Sequence, residues 1–367
     1  MYDRPSNILK SKKNEIEPTN TARSFLLKPL LGFHNYWVKN QFLYRRFTGT
    51  NSLFEIACGK GGDLHKVAKG KFRLVVGSDI NKDNLYNVSD GIYKFFYGIA
   101  GISSTKLMYV TKTSNIHRLI ISDSDGFNEQ VLLKSNSAII SPAWSSDAQQ
   151  IAYVSFENNR AQVFTQNLVS GQRELIISSR SSVSSPAWSP NNEELAFAST
   201  KDGNSEIYVI NLRNKNINRL TENIAIDTEP AWSPDGKKII FTSDRSGSPQ
   251  IYEIDIRTKL KRRLTTVGTY NARASYLSNK EIILVHRNLT NFNIASLNLN
   301  TRDLSVLTST KNDESPCIAP NGNVIIYATK DGNLSYLAGV NISSKVSFKL
   351  PALYGELKEP AWSPFIR

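Results

Sequence analysis

Cysteine is almost absent from this 367-residue chain: Cys58 and Cys317 stand far apart, with no CxxC pair and no Cys/His cluster at metal-ligand spacing. Neither a disulfide framework nor a zinc site is therefore expected, and both thiols are expected to pack as small hydrophobes. Histidine is nearly as scarce, with four residues in the whole chain. No run of about 18 apolar residues occurs, so no transmembrane helix is predicted. The opening MYDRPSNILKSKKNEIEPTN is polar throughout and holds no apolar stretch of signal-peptide length. As written, the chain is expected to stay in the cytoplasm.

Acidic charge is in deficit. The formal charge is +13, and residues 1 to 97 carry 16 basic against 8 acidic side chains, so most of the excess lies in the first quarter. Such a segment can meet phosphate, and RNA is a possible partner only there. At 40% hydrophobic and 21% charged, the composition is globular.

What is present is a repeat. Trp144 in SPAWSS, Trp188 in SPAWSP and Trp232 in EPAWSPDG recur every 44 residues; Tyr276, Ile318 in SPCIAPNG and Trp362 in EPAWSP continue the series at spacings of 44, 42 and 44. Each period holds a tight turn, an apolar strand (IAYVSF, LAFAST, IIFTSD, IILVHR, VIIYAT), an Asn/Asp/Gly-rich turn, an alternating strand such as EIYVINL or QIYEIDI, and a short strand near Arg-Leu-Thr. Four short strands in about 44 residues make one propeller blade. LMYVTK, RLIISD and VLLKS supply three strands of a first blade, and the terminal EPAWSP supplies the fourth. The prediction is a mainly β, six-bladed β-propeller over residues 102–367, closed by its C-terminal strand. Closure hides sheet edges, so loss of the last nine residues is expected to open the ring.

No catalytic constellation is visible in the propeller, which contains only His117 and His286 and no Gly-x-Ser-x-Gly turn. His286, in the apolar strand IILVHR, reads as a structural residue, and the repeated tryptophans read as core. The loops that enter the innermost strands converge at one mouth of the channel. Here they bring Asp227, Thr228, Glu229, Tyr270, Asn271, Arg273, Asp313, Glu314 and Glu359 toward a shared rim, offering charge, hydrogen bonds and an aromatic anchor to a partner. The same Asp and Ser residues can equally cap turns and end strands.

These blocks, from SPAWSSDAQQIAYVSF through IDTEPAWSPDGKKIIFTSD to the closing EPAWSP, resemble the TolB family in order and spacing. The likeness begins at VSDGIYKFFYGIAGISSTKLMYV, similar to that family's linker helix, placed here at 88–101. The resemblance implies a periplasmic, protein-binding propeller of the Tol-Pal system whose channel mouth meets the lipoprotein Pal, with no cofactor required.

The segment before it reads differently. SLFEIA runs into CGKGGDL, and RLVVG ends on Asp79, 20 residues after Gly59. A glycine turn after a strand and an acidic residue at that distance suit a nucleotide-type cofactor. With FHNYWVK before it, the segment 25–87 resembles the N-terminal part of mRNA cap guanine-N7 methyltransferases. That resemblance puts Lys39, Gly59, Gly61 and Asp63 around the methionine part of S-adenosylmethionine and Asp79 on its ribose. It covers an incomplete, Rossmann-like α/β fragment behind a polar tail (1–24), and the segments that hold adenine, cap guanine and triphosphate are absent, so turnover is not expected. The two resemblances meet near NLYNVSDGIYKFF, as in a junction of unrelated coding sequences. The alternative is an S-adenosylmethionine-dependent cap methyltransferase with a propeller as its recruitment module.

Overall fold

The computed structural model describes residues 82–288, 290–332, 334–350 and 355–366. Tyr86–Arg367 forms one unit. Its first residues belong to helix α1 (Lys82–Tyr97), which stops where Gly98 turns left-handed at φ 73° and donates its N–H to the Lys94 carbonyl at 2.9 Å. Asp90, on this helix, accepts from the Ser103 and Ser104 amides at 2.6 and 2.9 Å and from the Ser104 hydroxyl at 2.6 Å, which fixes the entry to the first strand.

Among the described residues twenty-four strands follow, in six four-stranded antiparallel sheets. The first blade is ordered β24 (Glu356–Trp362), β1 (Lys106–Thr113), β2 (Ile116–Asp123), β3 (Gln130–Ser135). The others run in sequence: β4 (Ile139–Trp144) to β7 (Arg173–Ser178), β8 (Val183–Trp188) to β11 (Ile217–Arg219), β12 (Asp227–Trp232) to β15 (Lys261–Arg263), β16 (Tyr270–Ser278) to β19 (Leu304–Val306), and β20 (Glu314–Ile318) to β23 (Ser347–Lys349). The C-terminal strand therefore does close the ring, with Trp362 opposite Leu107 and the Ser363 amide bonded to the Lys106 carbonyl at 2.9 Å.

The core lies between blades. Strands such as β5 (Gln150–Ser155), β9 (Glu194–Ser199) and β13 (Lys238–Ser243) are buried at every position but the first, because a neighbouring blade covers each face. That is why they read as continuous apolar runs. Val154, Val163 and Ile177 of one blade pack with Trp188, Phe197 and Tyr208 of the next. The tryptophans act across the same seams. Trp144 donates its indole N–H to the Ala361 carbonyl at 3.1 Å, and Trp232 donates to that of Ala187 at 3.0 Å.

Each innermost strand is kinked at one place. Ser141, Ser185, Glu229, Arg273, Ser315 and Glu359 all have φ between 50° and 55°, and the register shifts beside each of them. In five of the six the next residue is proline. Proline has no N–H for a ladder, so it fits a bulge on a strand whose other edge faces the channel. These kinks put one left-handed residue at the same place in the innermost strand of every blade.

Candidate site at the channel mouth

The six kinked residues set the chemistry of the channel wall. Glu229 accepts from the Arg273 amide at 3.0 Å, from its Nε at 2.8 Å and from the Thr242 hydroxyl at 2.8 Å. The Arg273 guanidinium also reaches the Ser315 hydroxyl, and Glu359 accepts from the Ser141 amide. Burial works against the charge on Arg273, but Glu229, Glu359 and Glu314 outweigh it and raise its pKa. Of the six kinked residues two are carboxylates and one is a guanidinium, so this ring of side chains is net acidic.

Sequence reasoning placed nine residues at this rim, and the structure separates them. Glu229, Arg273 and Glu359 are on the wall, and Glu314 is within electrostatic reach of Arg273. Thr228 is half-buried beside Glu229. Half-buried Tyr270 meets Phe292 edge-on at 5.3 Å, with the Arg287 guanidinium 5.5 Å from its ring.

Asp227, Asn271 and Asp313 are enclosed, and their side chains are occupied internally, so the expectation of a rim position fails for these three. Asp227 takes both oxygens to Arg245 Nη2, at 2.9 and 2.6 Å; burial pushes its carboxyl up, while Ser243 and Arg245 pull it down. Asp313 accepts from the Thr329 hydroxyl at 2.7 Å and from that of Thr308. Asn271 donates to Gln250 Oε1 at 2.9 Å and to the Val267 carbonyl at 2.8 Å, and its Oδ1 lies 2.8 Å from His286 Nδ1. All three stand two residues before the kinked residue of an innermost strand, a position that the adjoining blade covers. His286 is structural, as its apolar strand suggested. Cys317 is free and only partly buried by exposed area, yet its sulfur is enclosed and burial pushes its thiol up to about 12.

The buried polar residues hold the entry loops in place, and those loops carry what the sequence reading missed. Asn204 donates to the Asn223 and Ala225 carbonyls at 2.6 and 2.5 Å, while the Ile226 amide donates to Asp244 at 2.8 Å. The loop into β12 is thereby pinned from both neighbouring turns. It presents Ile224 at 100% exposure and Ile226 at 53%; Val267, on the next entry loop, is 54% exposed. The signal for them was modest: two isoleucines in a loop where the blade period leaves no core position.

A family model described as the TolB beta propeller domain matches residues 93–366. The chain belongs to the TolB family. A Tol-Pal system protein TolB from Hydrogenovibrio crunogenus is 53% identical over 302 residues, covering 81% of this chain and 70% of the relative. One from Pseudomonas aeruginosa is 53% identical over 301 residues, covering 80% and 70%. The crystal structure of TolB from Acinetobacter baumannii superposes with a TM-score of 0.74 at 39% identity, over 80% of this chain and 75% of that one.

Among the described residues, no group of His, Cys, Asp and Glu could hold a metal ion and no helix is long and apolar enough to cross a membrane. Lys39, Gly59, Gly61, Asp63 and Asp79, the S-adenosylmethionine candidates, lie outside the described residues, as does nearly all of the basic segment to which an RNA partner was assigned.

Proposed function

We infer that this chain is a non-enzymatic, partner-binding TolB propeller, and that the mouth formed by the loops into β12, β16, β20 and β24 receives a Pal-like lipoprotein of the Tol-Pal system. One observation carries the assignment: Ile224 and Ile226 stand exposed on a loop pinned from both sides, beside an acidic channel wall. A pinned loop loses little conformational freedom on binding, so its apolar side chains contribute more of their burial to affinity. Rigid, exposed aliphatic residues ringed by polar groups suit an interface centre, and the surrounding carboxylates favour a partner with a basic edge. Asp227, Asn271 and Asp313 serve this surface by holding its loops; Thr228, Glu229, Tyr270, Arg273, Glu314 and Glu359 form its polar part.

Work with a Tol-Pal partner places the protein in the periplasm, as family membership supports, and not in the cytoplasm expected from the polar N-terminus. The test is a calorimetric titration of the full chain with soluble Pal from a matched relative such as Pseudomonas aeruginosa, lacking its lipid. Saturable one-to-one binding that weakens with salt is the expected result. A titration with no binding heat at several temperatures, together with no complex on gel filtration, would overturn the assignment.

A further inference from the structure

The face opposite the mouth carries a charge pattern that partner binding at the mouth leaves unused. Between β14 (Gln250–Asp255) and the end of β15 the chain reads DIRTKLKRR, and every residue from 257 to 263 is exposed. Five of those seven are basic. The turns at the same place in the other blades hold three basic residues or fewer: NLRNKNINR in the blade before, NLNTRDLSV in the blade after. Lys237, in the preceding turn of the same blade, adjoins the run, its carbonyl accepting from the Ile256 amide at 3.1 Å.

Internal pairing does not consume this charge. Glu253 is matched by Arg262 at 2.9 Å and Lys238 at 3.0 Å. Asp255 and Asp235 cap their own turns, Asp255 through the Thr258 amide and hydroxyl, Asp235 through Ser233 and the Lys237 amide. Lys259 has one carbonyl contact, to Arg219 at 3.4 Å, and Arg263 uses only Nε, on the Thr265 carbonyl. Arg257 and Lys261 make no side-chain hydrogen bond or ion pair among the described residues, though the charge of Arg257 is felt by Asp255. Seven basic side chains (Lys237, Lys238 and the five of the run) therefore stand against three acidic ones.

We propose that this outer corner of the fourth propeller blade, β12–β15, is a docking surface for the phosphate headgroups of an anionic lipid bilayer. The corner is an outermost strand and the turn before it, exposed at every residue from 257 to 263, so it suits a broad surface better than a threaded chain. Leu260 lies between Lys259 and Lys261 and is 73% exposed. Basic side chains around one projecting apolar residue match a headgroup layer, where the cations meet phosphate and the leucine enters the boundary. The run contains no aromatic residue to stack on a base, as single-stranded nucleic acid would call for. Since strands alternate in direction, the β14–β15 turn opens on the face away from the loop into β12, and a lipid surface and a protein partner could be held at once.

The test is co-sedimentation of the full chain with vesicles of phosphatidylcholine containing about one quarter phosphatidylglycerol, compared with phosphatidylcholine alone, at low and high salt. The basic residues before position 98 also favour anionic vesicles, so the readout is the difference between wild type and the triple variant Arg257→Gln/Lys259→Gln/Lys261→Gln, with Leu260→Asp alongside. All four positions are exposed, and circular dichroism checks that the fold is retained. The proposal expects binding to the anionic vesicles only, falling roughly tenfold or more in the triple variant and in high salt, and weakened also by Leu260→Asp. Equal binding by wild type and triple variant, equal binding to both vesicle types, or no sedimentation at low salt would overturn it. So would displacement from the vesicles by polyuridylate that the wild type binds and the triple variant does not, since the surface would then be one for nucleic acid.

Discussion

The indole N–H of Trp144 donates to the carbonyl of Ala361 at 3.1 Å, joining residues 217 positions apart. The bond crosses the seam between the second blade and the last strand of the chain, and Trp362, in that last strand, donates to the Thr105 hydroxyl just before β1 of its own blade at 2.8 Å. The first blade receives its innermost strand only from this final segment. In calorimetry the whole chain is expected to unfold in a single cooperative transition that is lost on removing residues 359–367, and Trp362→Ala alone is expected to cost about 3–5 kcal/mol. An unchanged transition after the truncation would mean that the ring does not need its clasp.

The repeated tryptophans are not equivalent, although their sequence frames nearly are. Trp188 is buried and its indole N–H has no partner, whereas Trp144 and Trp232 are bonded. Replacement by phenylalanine at 144 or 232 is expected to lose about 1 kcal/mol beyond the packing change; at 188, where a buried unsatisfied donor disappears, that penalty is absent. Urea melts of the three variants give the comparison, and an equal loss at all three positions would contradict it.

Gly339 is required by its neighbour. A Cβ there would sit 2.2 Å from the ring of Phe348, its cross-strand partner in the last full blade. Gly339→Ala is expected to cost about 1–3 kcal/mol through overpacking, while Gly339→Ala combined with Phe348→Ala should cost less than the sum of the two single changes. A double-mutant cycle with no coupling would show that the ring moves aside freely.

Burial lowers the pKa of His286 below its ordinary value of 6.5. The unfolded chain then binds a proton that the folded chain refuses, so this group favours folding above about pH 6.5 and withdraws that support as the pH falls toward its depressed pKa. His117 is lowered in the same direction, so the informative quantity is a difference: stability should decline less between pH 7 and 5 in His286→Gln than in the wild type. Parallel pH profiles would contradict the prediction.

Much of the fold was legible because one blade's needs recur. A tryptophan, a turn and an apolar strand repeat near 44 residues, and a strand covered on both faces can show no alternation, so LAFAST and IIFTSD identify themselves. The kink in each innermost strand was not legible in residue types: Ser141, Glu229 and Arg273 share a left-handed backbone while having little chemistry in common. For the site, the aspartates misled. Asp227 and Asp313 look like rim charges beside Glu229 and Glu314, but position along the strand decides burial, and a neighbouring blade covers the residue two before each kink whatever its polarity. Ile224 went unnoticed because an aliphatic residue is read as core unless the loop holding it is known to be pinned outward.

The claim that the mouth is the partner surface is tested most directly by titrating soluble Pal into two variants of the full chain. Ile224→Asp changes the pinned loop at the mouth; Val169→Asp changes another exposed aliphatic residue, 84% exposed on the turn between β6 (Gln162–Asn167) and β7, which opens on the opposite face. The account predicts an affinity loss of about 30-fold or more for Ile224→Asp and wild-type affinity for Val169→Asp. Loss of binding on changing Val169, with Ile224→Asp unaffected, would contradict it and put the partner on the other side of the ring.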